Sequence, residues 1–172
     1  MGKKIGFSLL GILAIFCALS YVLKPKLCTP CAFCDPQVIR YQSFYEEELV
    51  EVLYTHKPLA KAHFLVIPKR HVERFEELTS HEMVAMQKAL QKVHLAAKKV
   101  LGTSSYLLLQ KNGVEVGQSV PHVHFHYVGR KEREDGVLSF MAKMVIIPLL
   151  PAISADHMSK MVNLIRETME AV

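Results

Sequence analysis

The chain has 172 residues, of which 51% are hydrophobic and 22% are charged, which is enough for one globular domain of ordinary size. The apolar fraction excludes a wholly disordered chain, and 4 cysteines are too few for a scaffold built from disulfides. The net charge of +5 is mostly local, because four of the 21 basic residues lie in residues 1–26, which hold no acidic residue. The remaining chain is close to neutral, so we predict no nucleic-acid partner.

The first 26 residues contain a charge-free run of 19 residues, Ile5 to Leu23, with lysines on both sides. A membrane-spanning helix needs about 20 apolar residues. The run predicts either an uncleaved signal anchor or a signal peptide cleaved near Ala18-Leu19-Ser20. Because the apolar residues continue past that site to Leu23, the anchor is favoured over the signal peptide. A buried soluble helix is disfavoured because the run has no polar face. The flanking lysines are nearly balanced, so the side of the membrane stays open.

The next part of the chain predicts strands and one long helix. Residues 38–54 suggest one or two strands, and residues 62–67 a further strand that ends at a proline. Thr79 and Glu82 form a capping box for a helix with one apolar face, and Gly102 ends it.

The second half of the chain predicts a hairpin and a final helix. Residues 106–110 read as a buried strand that pairs with a strand over 120–128 across a loop at 112–119. Ser154 can cap a last helix with an apolar face. We therefore predict an α+β fold with an antiparallel sheet of about five strands and packed helices, preceded by one transmembrane helix. The predicted units are a membrane segment (1–26), a catalytic domain (27–130) and a C-terminal extension (131–172).

The stretch His122-Val-His124-Phe-His126 is the most informative one in the sequence. Alternation along a strand places the three histidines on one face, about 6.5–7 Å apart, with Val123, Phe125 and Tyr127 toward the core. Neutral imidazole can act as a nucleophile, a proton carrier or a metal ligand. A metal-binding strand and a merely solvent-facing strand are the alternatives. Gly117-Gln118-Ser119 just before it suits a phosphate, through backbone N–H groups and side-chain donors.

These segments resemble the histidine triad (HIT) family, in its branch of nucleotide hydrolases and phosphoramidases. His122 to Val128 is similar to the family's triad signature, and Asn112-Gly113 with Gly117 to Val120 is similar to its loop. Cys31-Ala-Phe-Cys34 and the segment His63 to His71 complete the match, which covers about residues 31–130. The resemblance implies an antiparallel sheet with packed helices, commonly as a homodimer.

The resemblance also implies hydrolysis or transfer at the α-phosphate of a purine nucleotide derivative, with His124 as the nucleophile. A covalent nucleotidyl-histidine splits one hard displacement into two easier ones. Gln118 and backbone N–H groups at Gly117 would stabilise the phosphate, and Ser119 would help to protonate the leaving group. The remaining roles fall to His126 and His122 in catalysis, and to His63 and Asn112 in binding phosphate and ribose.

A structural zinc site is implied as well, and no cofactor is needed for the chemical step. Zinc-containing relatives use positions that correspond here to Cys31, Cys34, His71 and His122, and thiolate and imidazole are ligands that Zn²⁺ prefers. Free cysteines or a disulfide are the alternatives, and Cys28 is a spare thiol that could exchange with Cys31.

Thr55 stands where family members often carry an aspartate that binds the ribose. A hydroxyl still forms a hydrogen bond, but without the strength of a carboxylate, so Thr55 is predicted as a weaker substrate-binding residue. This departure keeps a second hypothesis open, a membrane-tethered module that binds a nucleotide without turnover. A tethered zinc domain in which the histidines serve as metal ligands is the third.

Overall fold

The computed structural model describes residues 29–134 and 136–170. Within these residues the fold is α+β, with one five-stranded antiparallel sheet and four α-helices. The predicted membrane segment at 5–23 and the spare Cys28 lie outside the described residues. Among the helices of the described part, none is both long and apolar enough to cross a membrane.

The sheet has five strands, and every neighbouring pair runs antiparallel. Their order across the sheet is β1-β2-β3-β5-β4, so β3 and β5 lie at its centre. The strands are β1 (Ser43–Glu46), β2 (Val50–Tyr54), β3 (Ala62–Pro68), β4 (Ser105–Gln110) and β5 (Phe125–Arg130).

Alternation along the central strands gives the sheet two different faces. One face, with Phe64 and Val66 of β3 and Tyr127 of β5, belongs to the main core beneath the helices. The opposite face carries a smaller cluster of Leu53, Leu65 and Ile67. His63 and His126 share this second face, because they alternate with the core residues along their strands.

The first helix, α1 (Pro36–Gln42), occupies residues for which we predicted strand. The prediction over 38–54 was therefore wrong at its beginning and right for β1 and β2. The local signal was a helix start, since the Asp35 side chain accepts a hydrogen bond of 2.8 Å from the Gln37 backbone N–H and Pro36 holds the first helical position.

The long helix α2 (Ser80–Leu101) begins and ends as predicted. The Thr79 hydroxyl accepts from the Glu82 backbone N–H, and the Glu82 carboxylate accepts from the Thr79 backbone N–H. Gly102 ends the helix with φ of 65°, a left-handed conformation that glycine adopts without strain.

The predicted hairpin of β4 and β5 is present, but two details differ. β4 is an edge strand with Tyr106 and Leu108 exposed, so the prediction of a buried strand was wrong. β5 begins at Phe125 instead of residue 120, because Pro121 has no N–H and the Val123 N–H donates to the Val72 carbonyl over 2.6 Å. His122 and His124 therefore precede the strand.

Two helices follow the sheet. Helix α3 (Val137–Ile146) has no buried residue. Helix α4 (Ala155–Met169) starts at the predicted cap, with the Ser154 hydroxyl accepting from the His157 N–H, and its predicted apolar face is buried in the main core. Since α4 shares that core, the part of the chain predicted as an extension includes an integral element of the domain.

Candidate functional site

His124 is held between the core strand and the loop before it, with a side chain only 4% exposed. Its Nδ1 donates to the His122 carbonyl oxygen over 2.6 Å. Since Nδ1 carries the proton, the Nε2 lone pair is free to act as a nucleophile or base. Burial lowers the pKa of His124 to about 4, so the ring is neutral near pH 7.

His63 and His126 form a hydrogen-bonded pair, here called the His63–His126 relay, on the same face of the sheet. The Leu59 backbone N–H donates to His63 Nδ1 over 3.0 Å, so His63 must carry its proton on Nε2. That nitrogen lies 3.0 Å from His126 Nδ1, which therefore accepts, and His126 Nε2 becomes a donor. Burial lowers the pKa of His63 to about 3 and that of His126 to about 2.

The rings of His124 and His126 lie 4.9 Å apart between centroids, closer than the predicted spacing of about 6.5–7 Å. The prediction assumed a regular strand through all three histidines, and His124 lies before the strand begins. The site therefore sets a lone pair on His124 beside an N–H donor on His126. A nucleophile next to a hydrogen-bond donor is what displacement at phosphorus requires.

The glycine-containing loop before the triad is arranged by its own side chains. Gln118 is 3% exposed; its amide oxygen accepts from the Gly113 N–H over 2.6 Å and its amide nitrogen donates to the Glu73 carbonyl over 3.1 Å. Gly117 has φ of 86°, which a side chain would strain. Ser119 is exposed. The role of Gln118 in this structure is therefore to tie the loop to the segment after β3.

Asn112 and Thr55, two predicted substrate-binding residues, also make contacts within the protein. The Asn112 side chain accepts from the Phe75 N–H over 2.9 Å and donates to the Glu76 carboxylate over 2.7 Å. Thr55 follows β2 and is buried, and its hydroxyl accepts a long bond of 3.5 Å from the Lys57 N–H. Their contacts with a nucleotide remain predictions.

Two residues near the histidines were missed by the sequence reasoning. Lys111 is half-buried in the same loop; its Nζ donates to the Gly117 carbonyl over 3.3 Å, and its charge contributes to the lowered pKa of His124 and His126. Phe33 packs edge-on against His124 at 5.2 Å between ring centroids. A lysine beside the loop glycine was a weak sequence signal for a phosphate-binding cation, whereas no local pattern pointed to Phe33.

The four predicted metal ligands meet in space. The ligand atoms of Cys31, Cys34, His71 and His122 all lie within 4.8 Å of one another. Three sulfur-to-Nδ1 distances are 3.2, 3.5 and 3.8 Å, for Cys34 with His71, Cys31 with His122 and Cys34 with His122. Tetrahedral zinc with bonds of about 2.3 Å to sulfur and 2.0 Å to nitrogen places sulfur about 3.5 Å from nitrogen, so the donor set fits.

The surroundings of the cluster also suit a metal. His122 Nε2 donates a hydrogen bond to the Pro68 carbonyl over 2.8 Å. The proton is therefore on Nε2, and the unprotonated Nδ1 faces the sulfurs as a possible metal ligand. Cys31 and Cys34 are free thiols in this structure. Burial raises the pKa of the Cys31 thiol to about 11, so a cation is needed to make it a thiolate at neutral pH. His122 thus faces this cluster, and it is linked to His124 by the hydrogen bond to its carbonyl oxygen. Its part in catalysis stays a prediction.

A model of the HIT domain family matches residues 37–133. The chain therefore belongs to the HIT domain family, whose relatives include nucleotide hydrolases.

Three curated relatives align with more than half of this chain. An uncharacterised HIT-like protein of Methanocaldococcus jannaschii is 40% identical over 96 residues, 56% of this chain and 74% of that protein. The asymmetrical bis(5'-nucleosyl)-tetraphosphatase of Schizosaccharomyces pombe is 37% identical, over 54% of this chain and 51% of that protein. An adenylylsulfatase of Arabidopsis thaliana is 34% identical, over 60% and 54%. The chain spans about half the length of the two relatives with a named activity.

Among solved structures, a hypothetical histidine triad nucleotide-binding protein from Sulfolobus tokodaii has the same fold. It superposes with a TM-score of 0.65 at 23% identity, covering 82% of this chain and 93% of that one. The likeness confirms the α+β HIT-like fold that was predicted, with its five-stranded antiparallel sheet.

Proposed function

We propose that the chain is a hydrolase or transferase acting at the α-phosphate of a purine nucleotide derivative through a nucleotidyl-histidine on His124. The observation that carries this proposal is the hydrogen bond from His124 Nδ1 to the His122 carbonyl. It holds the ring in one tautomer with Nε2 unprotonated beside the His126 donor. Membership of the family, and relatives named as a tetraphosphatase and an adenylylsulfatase, support the same substrate class.

In the first step, the lone pair on His124 Nε2 attacks phosphorus and an Nε2–P bond forms. The bond from phosphorus to the leaving group breaks, and the leaving atom takes the electron pair together with a proton that Ser119 relays from the solvent. In the second step, a water oxygen attacks phosphorus and the electron pair of the Nε2–P bond returns to His124. The attacking water releases a proton to the solvent, which replaces the one taken in the first step. Hydrolysis releases the nucleoside monophosphate, and an acceptor other than water gives transfer.

Charge that develops on the phosphate oxygens needs donors already in place. His126 Nε2–H supplies a neutral donor, and the ammonium of Lys111 supplies a positive charge. The N–H groups of Gly117 and Gln118 are already bonded to the Val114 and Gly113 carbonyls. Gln118 acts through the loop, because both ends of its amide are bonded to the backbone of Gly113 and Glu73.

A nucleotide-binding module without turnover is the second candidate. The observation that favours it is the burial of His124 beneath Phe33, with Thr55 in place of a carboxylate. A domain that uses the whole triad as metal ligands is less well supported. His124 is absent from the cluster of possible ligands among the described residues, and its Nδ1 is taken by a carbonyl.

We further propose that Cys31, Cys34, His71 and His122 hold one structural Zn²⁺. Such an ion would tie the loop before α1 to the end of β3 and to the segment that carries His124. Four protein ligands leave no position for substrate, so its contribution is to stability and to the placement of His124.

We also propose that residues 5–23 anchor the chain in a membrane. The length of the charge-free run supports this proposal.

We further propose that the chain forms a homodimer through the exposed edge of β4, which carries Tyr106 and Leu108. An exposed apolar edge strand readily pairs with a strand of a second copy.

The test is AMP release by the full chain in mild detergent from an adenosine phosphoramidate and, in parallel, a dinucleoside polyphosphate. AMP from either substrate supports the enzyme, and the ratio of rates ranks the leaving groups. Nucleotide binding measured by calorimetry without any AMP release supports the binding module instead.

A further inference from the structure

Helix α3 presents its apolar side to the outside. Val137, Leu138, Met141 and Val145 share one face of the helix, and Leu138 is 84% exposed. The half-buried face carries Phe140 and Lys143, together with Met144. An ordinary surface helix has the opposite arrangement, with its apolar stripe toward the core.

A small number of contacts attach α3 and the segment after it to the domain. The Arg130 guanidinium stacks over the Phe140 ring at 4.7 Å. Just beyond α3, the Lys57 ammonium donates to the Pro148 carbonyl over 2.7 Å, and the Ile153 N–H donates to the His56 carbonyl over 3.0 Å. The first contact joins α3 to the end of β5, and the other two join the segment after α3 to the loop between β2 and β3.

The apolar surface extends beyond the helix to Ile146, Leu149 and Leu150, which are all exposed. Proteins in water rarely leave contiguous apolar patches of this kind uncovered. Protein interfaces carry about one hydrogen bond per 100–200 Å², but on the exposed side of α3 the one hydrogen-bonding side chain is Ser139. Such a face suits hydrocarbon better than another protein.

Basic side chains lie beside α3. Between the helix and the loop after β2 is a cavity of about 380 Å³. Its charged lining consists of four basic residues and one acidic residue, namely Lys61, Arg130, Arg133, Lys143 and Glu134, of which Arg130 and Glu134 form an ion pair at 3.5 Å. Positive charge around an apolar helix is typical of elements that lie on membranes with anionic headgroups.

The predicted membrane segment precedes the end of the domain opposite to α3. Residues 24–28 separate the charge-free run from Thr29, and five residues extend at most about 17 Å. Thr29 is close in sequence to Cys31, whose sulfur lies beside His122 at the Pro68 end of β3, and α3 lies at the other end. β3 is about 20 Å long, so a domain lying along the bilayer brings both ends close to it.

We propose that the exposed face of α3 and the following turn, residues 137–150, lies in the interface of a lipid bilayer with anionic headgroups. Helix α3 is about 15 Å long, half the thickness of the hydrocarbon core, so it lies along the surface. The domain is then held at two points, by the anchor and by α3, which fixes its orientation on the membrane.

The chain contains no tryptophan, so a single Leu138→Trp substitution gives a specific fluorescent probe at an exposed position. The full-length variant is reconstituted into vesicles of phosphatidylcholine and phosphatidylglycerol, with and without brominated acyl chains. Leu164→Trp, at an exposed leucine of α4, is the matched control. Flotation first measures how much protein is on the vesicles, which shows whether the chain binds the membrane by either element.

The expected result is that brominated lipid quenches the fluorescence of Leu138→Trp at least threefold more strongly than that of Leu164→Trp. Replacing phosphatidylglycerol by neutral lipid is expected to weaken the quenching. Protein that floats with the vesicles but shows no preferential quenching at position 138 overturns the inference while leaving the anchor standing. Blue-shifted but unquenched emission from position 138 also overturns it, because a second copy or residues 5–23 then cover the face. Failure to float overturns both.

Discussion

His63 Nε2 and His126 Nδ1 lie 3.0 Å apart, and this bond fixes the proton positions of both rings. The other ring nitrogen of His63, Nδ1, accepts a hydrogen bond from the Leu59 N–H. Each group in this chain therefore donates to the next, from Leu59 in the loop after β2, through His63, to His126. His126 is thereby held with its Nε2–H toward the site. The bond requires both rings to be neutral, which links the chemistry of the site to the stability of the fold.

The neutral relay predicts a loss of stability in mild acid. The pKa of His63 is about 3 in the folded chain and about 6.5 when unfolded, so the unfolded state takes up the proton first as the pH falls. The stabilisation is complete above pH 6.5 and is lost progressively below it. For His63 alone, this amounts to about 2 kcal/mol between about pH 7.5 and pH 5.

Urea unfolding of the full chain in detergent at several pH values measures this loss. His63→Gln removes the titrating group, and its stability should fall less over the same range. Arg70 lowers the pKa of Glu82 to about 2. Carboxylates of this kind change the stability below about pH 5, so they do not affect the comparison between about pH 7.5 and pH 5. Parallel pH profiles for wild type and His63→Gln would show that the buried imidazole is not linked to folding.

The metal proposal predicts about one zinc per chain. Cys34→Ser or His71→Asn removes one ligand of the fitted set and should lower the bound zinc severalfold, with a lower Tm that added zinc no longer raises. Elemental analysis of the purified full chain measures the content. Cys17→Ser, within the charge-free run, is the matched control. Zinc unchanged in Cys34→Ser but lost in Cys28→Ser would assign the site to another set of thiols.

Lys111 predicts a preference for highly charged substrates. Lys111→Met removes the ammonium at nearly constant length, and a hydrogen bond to a charged group is worth about 1.5–3 kcal/mol. We expect kcat/KM for a dinucleoside polyphosphate to fall by about 10- to 100-fold, and for a phosphoramidate by less. Lys111→Arg keeps the charge and should retain most of the activity. Equal losses on both substrates would mean that Lys111 only shapes the loop at Gly117.

The parts of the fold predicted well from sequence are those decided by local chemistry. Thr79 with Glu82, Gly102 and Ser154 define helix ends by hydrogen bonds to their own neighbours, and each prediction was confirmed. The helix at Pro36–Gln42 was missed, although Asp35-Pro36 is also a local start signal. Residues 38–42 contain apolar residues that fit both strand and helix, and the strand was chosen.

Errors that no local pattern could prevent came from contacts distant in sequence. The strand at Tyr106–Gln110 looks buried because it is apolar, but its exposure depends on being the last strand of the sheet. The late start of β5 depends on Val123 bonding to Val72, which lies before α2 and far away in sequence. Phe33 next to His124 likewise follows from the packing of the Cys31–Cys34 loop, which spacing alone does not reveal.

The most direct test of the account is to trap the covalent intermediate. The full chain is mixed with a substrate labelled at the α-phosphate and quenched in alkali, in which phosphorus–nitrogen bonds to histidine persist. The account predicts label on the protein, on the peptide that contains His124, absent in His124→Ala and present when Ser119 is changed to alanine. AMP release without any labelled protein, or label that survives in His124→Ala, would contradict a nucleotidyl-histidine on His124.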